Sequence, residues 1–226
     1  MEGTLCVPSG GQGPYPGVVL FHGMTGSQKK YVPFAEALAD NGIVGLAVSI
    51  RGHGGSERTL DTTTPAEGYA DALAAYDFLA EQGEVDSGRI GLFGSSFGGM
   101  LSALIAKDRA TKSILLRVPA AYTEDMMRMT YQQTMDSESN MFFNIEDISA
   151  CPALRSLQGY TGSLLVIAAE KDAIIPLRIP EAYVSSAASA VKKELQVDAG
   201  ALHPLTDERS LQDLCARMVG WFRETL

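Results

Sequence analysis

The chain of 226 residues has few cysteines and few histidines. Its three cysteines, Cys6, Cys151 and Cys215, are widely spaced and form no C-x-x-C pair. This pattern argues against a zinc site, a redox pair and a disulfide framework. Three unpaired thiols are typical of a protein kept in a reducing compartment.

Positive charge and long apolar runs are also scarce. The chain has 18 Lys and Arg against 27 Asp and Glu, a formal net charge of −9, and no apolar run reaches 18 residues. This balance disfavours nucleic acids and anionic membranes as partners, and the run lengths exclude a membrane-spanning helix. The first residues, MEGTLCVPSGG, lack the basic and apolar regions of a signal peptide. We therefore expect a cytoplasmic location.

Short apolar segments alternate with segments of helical periodicity. The predicted strands are 17–22, 43–50, 89–94, 113–118, 163–170 and a weaker 192–198, and 3–8 could add an antiparallel edge strand. The predicted helices are 31–42, 63–83, 97–107, 177–190 and 205–226. Strands that are apolar throughout indicate burial on both faces. The alternation predicts one α/β domain over 1–226, with a mostly parallel, doubly wound sheet and helices on both faces.

One segment interrupts this alternation. Residues 120–160 are too long for a single crossover helix and hold five of the nine methionines. We predict a small cap insertion over the carboxyl edge of the sheet. Its side chains would form one wall of a substrate pocket, with Met126, Met127, Met129, Phe142 and Phe143 as candidates. The alternative is that its methionines only pack the insertion onto the body.

The segment GSSFG follows a predicted strand and precedes a predicted helix. It fits G-x-S-x-G with Ser96 at the serine position, and Gly94 and Gly98 allow a sharp turn that exposes the hydroxyl. Ligands bind at this carboxyl edge in open parallel sheets. Ser96 is therefore the predicted nucleophile, while Ser95 is expected to point elsewhere and to be structural.

A serine needs a base to attack at neutral pH. His203 follows the last predicted strand, on a loop that opens at the same edge as Ser96, so we predict it as the general base. His22 and His53 follow earlier strands and are expected to brace loops.

A carboxylate should hold the tautomer of the base. Asp172 follows the strand 163–170, and the order Ser96, Asp172, His203 is the one this arrangement uses. Other carboxylates could take the role: Glu170, Asp198 or Asp147. For the oxyanion, the backbone N–H of Phe97 and that of Met24, in the loop HGMTGS, are the candidate donors.

These segments together resemble the α/β-hydrolase family over nearly the whole chain. HGMTGS, RGHGGS, GSSFGG, EKDAIIP and ALHP follow in the family's order. RGHGGS looks like the loop of serine aminopeptidases, monoacylglycerol lipases and cinnamoyl-type esterases. GSSFGG is similar to prolyl-oligopeptidase-like and dienelactone-hydrolase-like members. The chain departs from the family at Ser49, where an acidic residue often stands.

The resemblance implies the α/β-hydrolase fold and a Ser–His–Asp hydrolase that forms an acyl-enzyme without a metal or other cofactor. A homodimer is plausible for such enzymes. Because no cluster of Lys or Arg is visible in the sequence, the expected partner is a small to medium, uncharged ester. An amide or thioester hydrolase is the alternative, as is an aminopeptidase, which would need an acidic residue such as Glu124, Asp125, Glu146 or Asp147. A non-catalytic binding module is the third hypothesis.

Overall fold

The computed structural model describes residues 1–56, 58–136 and 145–226. Seven strands form one sheet in the order β1-β3-β2-β4-β5-β6-β7. The strands are β1 (Glu2–Cys6), β2 (Tyr15–Phe21), β3 (Val44–Ser49), β4 (Val85–Ser95), β5 (Ser113–Arg117), β6 (Ser163–Ala169) and β7 (Lys192–Asp198). β1 runs antiparallel to β3, and each of the other pairings is parallel. The predicted fold class is confirmed.

Helices cover both faces of this sheet. They are α1 (Val32–Asp40), α2 (Pro65–Ala80), α3 (Phe97–Asp108), α4 (Pro152–Ser156), α5 (Arg178–Ser186) and α6 (Glu208–Thr225). Residues 131–136 are also helical. Every predicted helix is present, although most are shorter than the periodicity suggested, and α4 was not predicted. Among the described residues, no helix is both long and apolar enough to cross a bilayer.

Successive side chains of the central strands point to opposite faces of the sheet and belong to two apolar cores, one on each face. Val19 and Phe21 of β2 belong to the core shared with α2, α3 and α5, whereas Val18 and Leu20 belong to the core shared with α1 and α6. All four side chains are fully buried. Burial on both faces is why these strands are apolar throughout. It also holds the carboxyl ends of the strands at one rigid edge.

α2 begins at a capping box. The hydroxyl of Thr64 accepts a hydrogen bond from the Glu67 amide, and the Glu67 carboxylate accepts one from the Thr64 amide. Pro65 occupies the first turn, where its missing N–H costs nothing. The predicted start at residue 63 was therefore one residue before the cap, because the threonines at 62–64 look alike in the sequence.

The described parts of the insertion pack into the domain. Tyr122, Met126 and Tyr131 are fully buried in the core on the α2 and α3 side of the sheet. The buried side chains within residues 120–136 therefore add to the apolar core itself. Phe142 and Phe143, predicted as pocket residues, lie outside the described residues.

Candidate active site

Ser96 lies on a sharp turn between β4 and α3. Its backbone adopts φ 53° and ψ −115°, a conformation that L residues seldom take, and its amide donates to the Arg117 carbonyl at 2.9 Å. A Cβ on Gly94 would lie 2.1 Å from the Gly98 carbonyl oxygen, and a Cβ on Gly98 would lie 2.4 Å from that of Phe21. Both glycines are therefore required by close backbone contact, as the sequence predicted.

The structure brings together the three predicted side chains. His203 Nε2 lies 3.1 Å from Ser96 Oγ, and His203 Nδ1 lies 2.8 Å from Asp172 Oδ2. Ser96 follows β4, Asp172 follows β6 and His203 follows β7, so all three stand at the carboxyl edge of the sheet. A neutral ring that donates its Nδ1 proton to the carboxylate leaves Nε2 free to accept from the serine hydroxyl.

Asp172 is held on both of its carboxylate oxygens. Oδ1 accepts hydrogen bonds from the amides of Ile174 and Ile175, each at 2.8 Å, while Oδ2 faces His203. Its side chain is only 3% exposed. Burial raises the pKa of Asp172, but the hydrogen bond from His203 and those from the two amides outweigh it and lower the pKa below its usual value. The carboxylate therefore stays ionised beside the imidazole.

The competing carboxylates have other partners. Glu170 accepts a hydrogen bond from the Gly200 amide, Asp198 forms an ion pair with Arg217, and Asp147 caps a short turn through the Ser149 amide. The structure therefore favours Asp172 as the partner of the imidazole among the candidates of the sequence.

Arg117 is a site residue that sequence reasoning missed. It ends β5 next to β4, the strand that leads to Ser96, and is only 4% exposed. Its guanidinium donates to the carbonyls of His203 at 2.7 Å and Leu202 at 3.1 Å, while its own carbonyl accepts from the Ser96 amide. One residue thus holds both the histidine loop and the serine turn. An arginine at the end of an otherwise apolar strand was the signal available in SILLRV.

The loop after β2 lies directly beside Ser96. A Cβ on Gly23 would be 3.4 Å from the Ser96 Cβ, and Met24 lines a cavity that Ser96 also borders. The Phe97 amide is the first of α3, where N–H groups have no partner within the helix. Among the described residues, neither the Met24 amide nor the Phe97 amide donates to a protein acceptor. Both remain available to a ligand oxygen.

His22 and His53 brace this loop, in agreement with their expected roles. His22 Nδ1 donates to the Gly23 carbonyl at 2.7 Å, and its Nε2 accepts from the Ile50 amide at 3.1 Å. Burial lowers the pKa of His22 to about 4, since the hydrogen bond to Gly23 only partly opposes it. His53 contacts the Met24 sulfur at 3.2 Å through Nε2. The ring of His22 is thus fixed as a neutral tether.

Ser49, the departure from the family pattern, has a defined structural role. Its buried hydroxyl accepts a hydrogen bond from the Gln28 amide at 3.0 Å. It thereby attaches the chain that follows the loop after β2 to the end of β3.

A cavity of about 460 Å³ opens above Ser96 and His203. Ser95 is among the residues that line it, while the expectation that its side chain points away from the Ser96 hydroxyl stays a prediction. Met126 and Met127 do not border it but are buried in the core with Tyr122, and Met129 packs half-buried on the same core. Their burial stabilises the packing of the insertion on the rest of the domain, because it removes the apolar thioether side chains from contact with water.

Met135, in the helical stretch at 131–136, does border the cavity. Among the described residues of the insertion, Met135 is therefore the methionine that lines the cavity, although it was not one of the named pocket candidates.

The fold and the site define a class of protein. A parallel sheet flanked by helices, with a serine on a strained strand–helix turn, is the arrangement of an α/β-hydrolase superfamily serine hydrolase. A family model described as the prolyl oligopeptidase family matches residues 33–226. The chain belongs to this family.

Individual proteins are also similar to this chain. An uncharacterised protein of Mycobacterium tuberculosis is 27% identical over 212 residues, which cover 93% of this chain and 71% of that protein. The esterase EstD of Thermotoga maritima is 30% identical over 152 residues, 62% of this chain and 36% of that protein. Esterase 2 of Thermogutta terrifontis, solved in a form phosphoramylated by tabun, has a TM-score of 0.76 at 17% identity, over 98% of this chain and 88% of that one.

Proposed function

We propose that the chain hydrolyses small to medium carboxylic esters through Ser96, His203 and Asp172. The observation that supports this most strongly is the unbroken series of hydrogen bonds from Ser96 Oγ through the His203 ring to Asp172 Oδ2. Ser96 and His203 line a cavity of about 460 Å³, a size suited to a small organic ligand. The similarity to an esterase of Thermotoga maritima agrees with this reaction class.

In the first half of the proposed reaction, Ser96 Oγ attacks the ester carbonyl while His203 Nε2 accepts the hydroxyl proton. The carbonyl oxygen becomes an oxyanion, which the amides of Met24 and Phe97 stabilise together with the positive end of α3. Asp172 stabilises the imidazolium that forms. The C–O bond to the alcohol then breaks, and the imidazolium gives its proton to the leaving oxygen.

In the second half, water enters where the alcohol left. His203 Nε2 takes one proton from that water as its oxygen attacks the acyl carbon, and the same two amides hold the new oxyanion. The bond to Ser96 Oγ breaks, the serine recovers its proton from His203, and the carboxylic acid leaves. Every proton in the cycle passes through one ring nitrogen.

Amide hydrolysis on the same residues is the second candidate, since the family is described as prolyl oligopeptidase. An aminopeptidase would have to bind a free amine through a carboxylate. Glu124, one acidic candidate from the sequence, pairs with Arg155, and none of the described residues lining the cavity over Ser96 is acidic. This lining favours the ester reaction over the aminopeptidase.

A fluorophosphonate probe and two chromogenic substrates test the proposal. The probe should label the wild-type chain and the Ser87→Ala control, which alters an exposed serine of β4, but not Ser96→Ala. A 4-nitrophenyl butyrate assay should show turnover that Ser96→Ala abolishes, whereas alanine 4-nitroanilide should be a poor substrate. Turnover confined to the anilide would favour the peptidase, and a folded chain that neither reacts with the probe nor cleaves either substrate would be a binding module.

A further inference from the structure

Two cationic side chains border the cavity over Ser96, although they are far apart in the sequence. Lys30 follows the loop after β2, and Arg117 ends β5. No described residue that lines this cavity carries a carboxylate. The expectation of an uncharged substrate depended on the lack of a Lys or Arg cluster in the sequence. In the folded chain, however, Lys30 and Arg117 line the same cavity.

Arg117 is buried without an ion-pair partner among the described residues. It is 4% exposed, and its hydrogen bonds go to two backbone carbonyls, those of Leu202 and His203. Two carboxylates that act on it electrostatically, Asp172 and Asp198, pair with His203 and Arg217 instead. A buried guanidinium is costly unless an anion or several hydrogen bonds compensate it. Two neutral acceptors leave most of its donor capacity unused.

Lys30 adds a second positive charge at the rim. Its Nζ donates to the Leu205 carbonyl at 3.1 Å, and the residue as a whole is exposed although its ammonium group is partly buried, again without a carboxylate partner among the described residues. Partial burial, and then the charge of Arg117, lower the pKa of Lys30. The two cations therefore repel each other across the cavity. An anion placed between them would relieve that repulsion.

We propose that Lys30 and Arg117 form a subsite for a carboxylate group, so that the substrate is an ester that also carries an acid. This inference rests on the proposed ester hydrolysis and names its substrate class. Arg117 offers the planar, multi-donor geometry that suits a carboxylate, and Tyr31 and Ser95 line the same cavity. The chain carries −9 overall and repels an anion at a distance, so the attraction acts only close to these two cations, within about 10 Å at 0.1 M salt.

Matched pairs of esters test the inference. Mono-4-nitrophenyl glutarate against 4-nitrophenyl pentanoate places the acid on the acyl part, and 4-acetoxybenzoate against 4-acetoxybenzamide places it on the leaving group. For at least one pair, kcat/KM should be about tenfold or more higher for the acid. The pair that shows the preference identifies which part of the substrate occupies the subsite.

Variants then locate the preference. Lys30→Gln should lower the acid-to-neutral ratio of kcat/KM about tenfold, whereas Lys29→Gln, the neighbouring exposed lysine, should leave the ratio at the wild-type value. Arg117→Met should lower the ratio as well, and the use of a ratio cancels any general loss of activity from the loosened His203 loop. Raising the salt from about 0.01 M to about 1 M should also reduce the ratio, since Lys30 is exposed.

The outcomes separate the two proposals. Hydrolysis of neutral esters without preference for either acid would overturn the carboxylate subsite and leave the esterase proposal standing. A preference that Lys30→Gln does not reduce, or that Lys29→Gln reduces equally, would also overturn it. Failure of Ser96 to react with the fluorophosphonate, with no ester cleaved, would overturn both.

Discussion

Replacing Asp172 by asparagine should move the ring proton of His203 from Nδ1 to Nε2. The amides of Ile174 and Ile175 both donate to Oδ1, so an asparagine at this position must keep its carbonyl oxygen there. Its NH2 group then faces His203 Nδ1 and donates to it. The ring proton has to move to Nε2, where it points at Ser96 Oγ, and the imidazole can no longer accept the serine proton.

The size of the effect follows from this geometry. Wrong-tautomer lesions of Ser–His–Asp enzymes lower kcat about ten-thousandfold. That corresponds to about 5 kcal/mol of lost transition-state stabilisation. The two amide hydrogen bonds survive in the variant, so the fold should persist. Loss of activity and loss of structure can therefore be distinguished.

The assay compares Asp172→Asn with wild type and with Asp40→Asn, which alters an exposed aspartate at the end of α1. We expect kcat on 4-nitrophenyl butyrate and the rate of fluorophosphonate labelling to fall together, while thermal unfolding stays cooperative. The Asp40 control should match wild type. An Asp172→Asn variant that keeps a tenth or more of the wild-type kcat would refute the assignment of Asp172 as the partner of His203.

Two further predictions concern stability. Gly98→Ala should lower the free energy of unfolding by about 3 kcal/mol or more, because its Cβ would lie 2.4 Å from the Phe21 carbonyl oxygen. Gly83→Ala, with no atom within 4 Å of the added Cβ, is the control in the same urea denaturation, and equal effects would contradict the close contact. His22 has a folded pKa of about 4 against 6.5. As the pH is lowered, the unfolded chain therefore binds a proton at this histidine before the folded chain does. The free energy of unfolding should decrease by about 2 kcal/mol when the pH is lowered from about 7.5 to 5. His22→Asn should lack that part of the decline, and a wild-type slope in the variant would show that His22 is not held neutral.

Local pattern determined a large part of this protein. Strands apolar throughout have to be buried on both faces, and their alternation with amphipathic segments leaves a doubly wound sheet as the stable arrangement. The G-x-S-x-G turn is local as well, since it depends on glycines within two residues of Ser96. For the same reason the candidates His203 and Asp172 could be found from their places after successive strands.

The tertiary structure alone decided which side chains share the cavity. Met126 and Met127 looked like pocket residues, but their methionine side chains gain more by joining the core. Lys30 and Arg117 looked isolated, but parallel packing brings the loop after β2 and the end of β5 to one edge. The sequence specifies which residues follow each strand. The charge of the cavity lining depends instead on which strand ends lie next to each other, and only the assembled sheet determines that.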